Sequence, residues 1–178
     1  MPSTDPVFFD TDGLSAFLWV NDESLLCKLY PGRIVIPVPV YRELSNPCIP
    51  HLKRRTDRLI HSKLATLSSL DVGTKAYSIY SEMTTSPKKG HAIIGNGEAA
   101  ALALAIQCNG IIASNNLKDV KNYVAEFGLR LITTGDILKE ALQQGLITEE
   151  VGNQIWSQML SRRRKLGYAS FSEFLGHN

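Results

Sequence analysis

Val7-Phe8-Phe9-Asp10-Thr11-Asp12-Gly13 is the stretch from which the rest of the chain can be read. Three bulky apolar residues stop at two acids, and a second apolar run, residues 14–20, begins at once. The first run suits a strand buried on both faces, and the second a short apolar helix. Asp10 follows the apolar triplet directly, so its carboxyl group is expected near the core, at the carboxyl end of a strand. The Asp12-Gly13 pair also suits an ordinary turn or helix cap.

The same alternation of strand and helix continues outward from this stretch. Residues 23–30 read as a helix stopped by Pro31-Gly32, and Ile34-Val35-Ile36-Pro37 as a strand, its β-branched residues favouring a pleated, buried position. A helix begins at residues 40–44, and Pro50 opens another over 51–65. Leu70-Asp71-Val72 reads as a short strand, 75–83 as a helix and 86–90 as a loop. Ile93-Ile94 leads into Gly95-Asn96-Gly97-Glu98 and an alanine-rich helix over 99–108, ended by Asn109-Gly110. Ile111-Ile112-Ala113-Ser114 is a strand, 117–127 a helix closed by Gly128, and 129–132 the last strand. Only helical patterns follow, at 134–144, at 149–165 behind a Thr148 cap with two acids in the first turn, and at 170–175. This order predicts an α/β domain with a mainly parallel central sheet flanked by helices over residues 1–147, and a C-terminal helical extension, 148–178, packed on the same domain. No internal repeat, low-complexity tract or interdomain linker interrupts it.

Composition narrows the function. A chain of 178 residues is expected to form one domain and to bury about 70% of its unfolded surface, enough for a core without disulfides or structural metal. Lys plus Arg is 19 and Asp plus Glu 17, a net charge of +2, which excludes the overall basicity of a histone-like DNA binder but not a local basic face. The longest unbroken apolar run, residues 99–106, is far short of the ~20 residues of a membrane helix, so no membrane association is expected. Met1-Pro2-Ser3-Thr4-Asp5 has neither a basic nor an apolar signal region. The three cysteines, Cys27, Cys48 and Cys108, fit neither a disulfide framework nor a CxxC zinc pattern, and a cytoplasmic protein is expected. Cys108 is expected to pack as a small core hydrophobe, and Trp19 and Trp156 to pack in a core or interface. His51, His61, His91 and His177 match no metal-ligand spacing.

In an open parallel sheet, ligands bind at the carboxyl ends of the strands. Here those ends carry acids and amides. Asp10 and Asp12 follow the first strand, Glu43 lies about one helical turn beyond the second, and Asn115, Asn116 and Asp119 follow the strand at 111–114. Glu98 opens the preceding helix, whose first turn points to the same edge. At ~4 Å and an effective dielectric near 20, each pair of like charges costs several kcal/mol. A divalent cation removes that cost, and an all-oxygen site suits Mg²⁺ or Mn²⁺ better than zinc. Such a site can activate water and stabilise in-line displacement at phosphorus. Each acid also has a plainer reading. Glu98 gains ~0.3–1 kcal/mol from the helix dipole whatever its function, Glu43 suits a solvated helix face, and Asp119 suits a charge in a first helical turn.

Four stretches, FFDTDGLSAFL (8–18), IVIPVPVYREL (34–44), GNGEAAALALA (95–105) and IIASNNLKDV (111–120), resemble in order and spacing the PIN-domain family. That family is the metal-dependent nuclease fold that includes the ribonuclease toxins of bacterial toxin–antitoxin pairs. LITTGDILKEALQQGLI (131–147) resembles the C-terminal part of one PIN subfamily. The resemblance implies a Mg²⁺- or Mn²⁺-dependent nuclease acting on RNA phosphodiester bonds. Asp10, Glu43 and Glu98 would be its catalytic acids, and Asp10, Glu98, Asn116 and Asp119 its metal-binding residues. The family usually has one or two aspartates where this chain has Asn115-Asn116. An asparagine offers a carbonyl oxygen but no charge, so weaker ion binding is expected, with Asp12 partly restoring the charge. The alternative is a non-enzymatic PIN-like module that binds RNA or a protein partner such as an antitoxin-like peptide. A homodimer is expected by family analogy.

Two basic clusters complete the reading. Lys53, Arg54, Arg55, Arg58 and Lys63 share one helical stretch with only Asp57 opposing, and Arg162-Arg163-Arg164-Lys165 lies near the C-terminus. Each suits either a solvated face or a phosphate track for single-stranded RNA. The segment Gly95-Asn96-Gly97-Glu98-Ala99-Ala100 also fits a loose GxGxxA dinucleotide fingerprint. Its strand would be short and third in order, and its acid would repel a pyrophosphate.

Overall fold

The computed structural model describes residues 4–177. Residues 1–3, most of the segment read above for a signal, and residue 178 of the extension lie outside that range. Five strands, β1 (Val7–Phe9), β2 (Ile34–Pro37), β3 (Ala65–Ser68), β4 (Ile111–Ala113) and β5 (Arg130–Ile132), form one sheet in the order β3-β2-β1-β4-β5. All four neighbouring pairs are parallel. From β1 the chain winds outward through β2 to β3, then returns to the other side of β1 for β4 and β5. The strand order thus reverses at β1, where an open α/β sheet leaves a crevice beyond its carboxyl ends.

Alternate residues of β1 face opposite cores, as the strand period of two requires. Val7 and Phe9 point into a core shared with α1 (Thr11–Val20), α2 (Glu23–Leu29), α3 (Val38–Leu44), α4 (Pro50–His61), α8 (Thr134–Gln143), α9 (Glu149–Ser161) and α10 (Phe171–His177). Phe8 points into a second core with α5 (Lys75–Thr85), α6 (Asn96–Cys108) and α7 (Leu117–Phe127). All residues from Ala99 to Ala105 are buried, so α6 is apolar on every side, and it packs against α5, α3 and the sheet. Trp156 of α9 and Phe171 and Phe174 of α10 belong to the same core as Val7 and Phe9, with Trp156 5.7 Å from Phe174 and 6.0 Å from Phe171 between ring centroids. Among the described residues, no helix is long and apolar enough to cross a membrane.

Several elements differ from the sequence expectation. The first helix begins at Thr11, because the Asp10 side chain caps it by accepting a 2.6 Å hydrogen bond from the Gly13 amide. The third strand is not at 70–72. α4 ends at His61, the chain turns through Lys63 in the left-handed region (φ 57), and Ala65–Ser68 pairs with β2 from Ile34↔Ala65 to Pro37↔Ser68. α9 stops at Ser161 because Arg163 also adopts a positive φ, 59°, which turns the chain back. Cys108 is exposed at the end of α6 and does not pack as a core residue. No strand leads directly into α6, since the described residues 86–95 carry none, so the GxGxxA pattern lacks the βαβ setting of a dinucleotide site.

Candidate functional site

The crevice at the strand reversal is built around Asp10. Its amide donates to Ala113 O of β4 at 3.1 Å, which anchors the start of α1 to the neighbouring strand. Gly13 makes the close approach possible. A Cβ there would stand 2.6 Å from Ala113 O and 3.0 Å from Asp10 Oδ1. Asp10 is 0% exposed, Oδ1 accepts from Gly13 N, and Oδ2 is buried with no hydrogen-bond partner. Burial raises the pKa of Asp10 from 3.8 to about 7. The Ser114 hydroxyl and the Gly13 amide pull it down, and the charges of Asp12 and Glu98 push it further up. The nearby Ser114 hydroxyl makes no well-formed hydrogen bond to Oδ2, and a buried carboxylate oxygen so poorly served is costly unless it is protonated or met by a cation.

α3 presents Glu43 to the same edge. Oε1 accepts from Gly97 N at 2.9 Å and Oε2 from Thr11 Oγ1, so one carboxylate joins the first turns of α1 and α6. Gly97 is required here, since a Cβ would lie 2.5 Å from Thr11 Oγ1 and 2.9 Å from Glu43 Oε2. The glycine before Glu98 therefore serves a carboxylate clamp, not a pyrophosphate.

Glu98, half-buried in the first turn of α6, accepts from Asn116 Nδ2 at 2.5 Å, and the same amide nitrogen donates to Asp119 Oδ2 at 2.8 Å. Burial raises the Glu98 pKa, the Asn116 amide lowers it, and the Asp119 charge raises it again. Asn115 turns away from the acids. Its Nδ2 donates to Thr134 Oγ1 at 2.8 Å and its Oδ1 accepts from Thr134 N at 2.9 Å, which ties the end of β4 to the start of α8. Thr11, Asp12, Glu43, Gly95, Gly97 and Glu98 line an open cleft of about 220 Å³ over this edge.

The acids expected at one edge are thus at one edge, in three parts: the buried Asp10, the clamped Glu43, and the Glu98–Asn116–Asp119 trio. Among the described residues, no three His, Cys, Asp or Glu side chains stand together as a ready metal shell. The donors nevertheless fit a hard divalent cation. They are oxygens, and the orphaned Asp10 Oδ2 is the atom a cation would satisfy. For Asn116 to join such a shell, its side-chain amide must turn so that the carbonyl oxygen replaces the NH₂ between Glu98 and Asp119.

The basic stretch on α4 is split. Lys53 donates to Asp57 at 2.6 Å and Arg55 to Glu23 at 2.8 Å, whereas Arg54 and Arg58 are exposed. Two residues not singled out among the expected acid-site residues also shape the site. Thr11 holds Glu43, and Arg164, noted only as part of a basic run, reaches Asp12 with Nη1 3.7 Å from Oδ1. Thr11 lies inside the first motif and was within reach of a sequence reading. The Arg164 contact joins residues 152 positions apart and leaves no local signal.

A parallel sheet that reverses at its first strand, with a buried aspartate at the reversal and acids arriving from α3, α6 and α7, defines a class of α/β domain with an acidic carboxyl-edge site. A family model described as PIN domain matches residues 6–175, and the chain belongs to the PIN-domain family. Among the curated proteins searched, none matches. Among solved structures, the chain is similar to one in the crystal structure of VapBC2 from Rickettsia felis bound to a DNA fragment from their promoter. That likeness has 21% identity over 71% of this chain and 97% of the other, with a TM-score of 0.48.

Proposed function

We propose that this chain is a Mg²⁺- or Mn²⁺-dependent nuclease that hydrolyses RNA phosphodiester bonds and is held in check, as a toxin, by an antitoxin-like protein partner. The observation that carries the reading is the buried, partnerless Oδ2 of Asp10 at the strand reversal. In this reading Asp10 and Glu98 hold the ion, with Asp119 and the turned carbonyl of Asn116 on its weaker side. The bound ion would polarise the phosphodiester and activate water. Glu43 is a positioning residue, since both its oxygens accept hydrogen bonds that fix the first turns of α1 and α6 against each other. Arg54 and Arg58, exposed on α4 together with the ion-paired Lys53 and Arg55, would steer the strand electrostatically. A symmetric homodimer belongs to the same reading.

Asp10→Asn is expected to abolish Mn²⁺-dependent cleavage of single-stranded RNA while leaving the far-UV circular dichroism unchanged. Mn²⁺ at 100 times its Kd should stabilise the native chain by about 2.7 kcal/mol, seen as a higher Tm. Full cleavage by the Asn variant would end the assignment. One observation favours a second reading, a non-enzymatic module that binds RNA or a protein: the Asn116 amide already neutralises part of the Glu98–Asp119 repulsion without an ion. An unmoved Tm in Mn²⁺ together with no cleavage would select it.

A further inference from the structure

We infer that Arg164 and Lys165, carried by the C-terminal extension, seat a phosphate of the RNA strand beside the acidic cleft. This seat rests on the RNA reading above and adds a substrate-contacting site to it.

The geometry is specific to Arg164. After α9 the left-handed Arg163 turns the chain, and Arg164 N bonds Met159 O at 3.0 Å. Its side chain then lies along α1. Nη1 is 3.3 Å from Ser15 Oγ and 3.7 Å from Asp12 Oδ1, Nε donates to Arg162 O at 3.1 Å, and the guanidinium carbon sits 5.8 Å from the Trp19 ring centroid. The fork is therefore held in place before any ligand arrives, which lowers the entropy lost on binding. Among the described residues nothing pairs with Nη2 or with the exposed Lys165 ammonium, and both side chains line one notch with Asp12 and Asn115.

Placement gives the notch its meaning. Asp12 is the shared wall, lining the acidic cleft with Glu43 and Glu98 on one side and the notch with Arg164 and Lys165 on the other. A polyanionic strand is repelled by the acids and needs positive charge next to them. The α4 stretch spends Lys53 and Arg55 on Asp57 and Glu23, whereas Arg164 and Lys165 adjoin the cleft itself. The Asp12 carboxylate is 56% exposed and its contact with Arg164 is long, so the pair is readily exchanged for a phosphate, which the planar fork can bind through two parallel hydrogen bonds.

The test uses the full chain carrying Asp10→Asn, in EDTA, with a fluorescently labelled single-stranded RNA, so that binding is read without cleavage. Adding Arg164→Ala or Lys165→Ala is expected to weaken binding roughly tenfold. Each is also expected to reduce the slope of log affinity against log salt by about 0.7. Arg164→Lys should retain the slope, and Asp12→Asn should tighten binding by freeing the fork. A purely structural latch predicts otherwise: a lower Tm for Arg164→Ala, with affinity and slope unchanged in all four variants. That outcome overturns the seat alone. Absence of RNA binding by the parent overturns the seat and the RNA reading together, whereas the expected slopes alongside a wild-type chain that cleaves nothing uphold the seat and overturn the nuclease.

Discussion

Asp10 is held in a place where its charge is unwelcome. Its folded pKa, about 7, lies above the unfolded value of 3.8. Between those values the folded chain binds more protons than the unfolded one, so in metal-free buffer the Asp10 contribution to stability falls as pH rises from about 4 to 7 and levels off above. Asp10→Asn removes the buried charge and keeps the shape. Urea unfolding without metal should find the variant more stable than the native chain at pH 8, by roughly 2–4 kcal/mol, with the gap closing towards pH 4. A native chain that gains stability over the Asp10→Asn variant as pH rises to 8 would contradict the burial argument. Asn116 is the complementary case. Asn116→Asp replaces a donor shared by Glu98 and Asp119 with a third carboxylate. The variant should melt lower than the native chain in EDTA and show a larger upward Tm shift on adding Mn²⁺; a smaller shift would mean that position 116 does not face the ion.

At the scale of elements, the site depends on how closely α1, α3 and α6 meet. The first turns of α1 and α6 meet the last turn of α3 through the Thr11–Glu43–Gly97 clamp, where even one methyl group has no room. Gly97→Ala is expected to cost roughly 1–3 kcal/mol in thermal or urea unfolding, because backbone or carboxylate must shift. It should also lower cleavage, since Glu98 follows at the next position. A neutral effect on both would show that the clamp is slack. β3 makes the opposite point. Ala65-Thr66-Leu67-Ser68 has exposed residues at its centre and little pattern of its own, and it becomes a strand because β2 offers it a parallel edge.

Over the whole molecule, the C-terminal helices and the sheet share one core. Trp156 is 1% exposed among α10 aromatics and belongs to the same cluster as Val7 and Phe9. Trp156→Ala should therefore destabilise the entire chain by about 3–5 kcal/mol in a single cooperative transition. An early, separate melt of the extension with the sheet unaffected would show instead that 148–177 folds as an independent unit. The same docking brings the basic run after α9 to the rim of the acidic cleft, a relation between charges that net charge cannot express.

Much was legible in the residues themselves. The apolar runs of β1, β2, β4 and β5, the parallel α/β order and the acids at the strand ends all follow from local pattern, because burial and strand or helix period act over a few neighbouring residues. Local pattern could not separate Asn115, turned to Thr134, from Asn116, bonded to Glu98 and Asp119. Nor could it place β3, expose Cys108, or bring Arg164 to Asp12. Those outcomes are set by contacts between distant segments, whose partners are chosen only when the sheet and both of its helical layers close together.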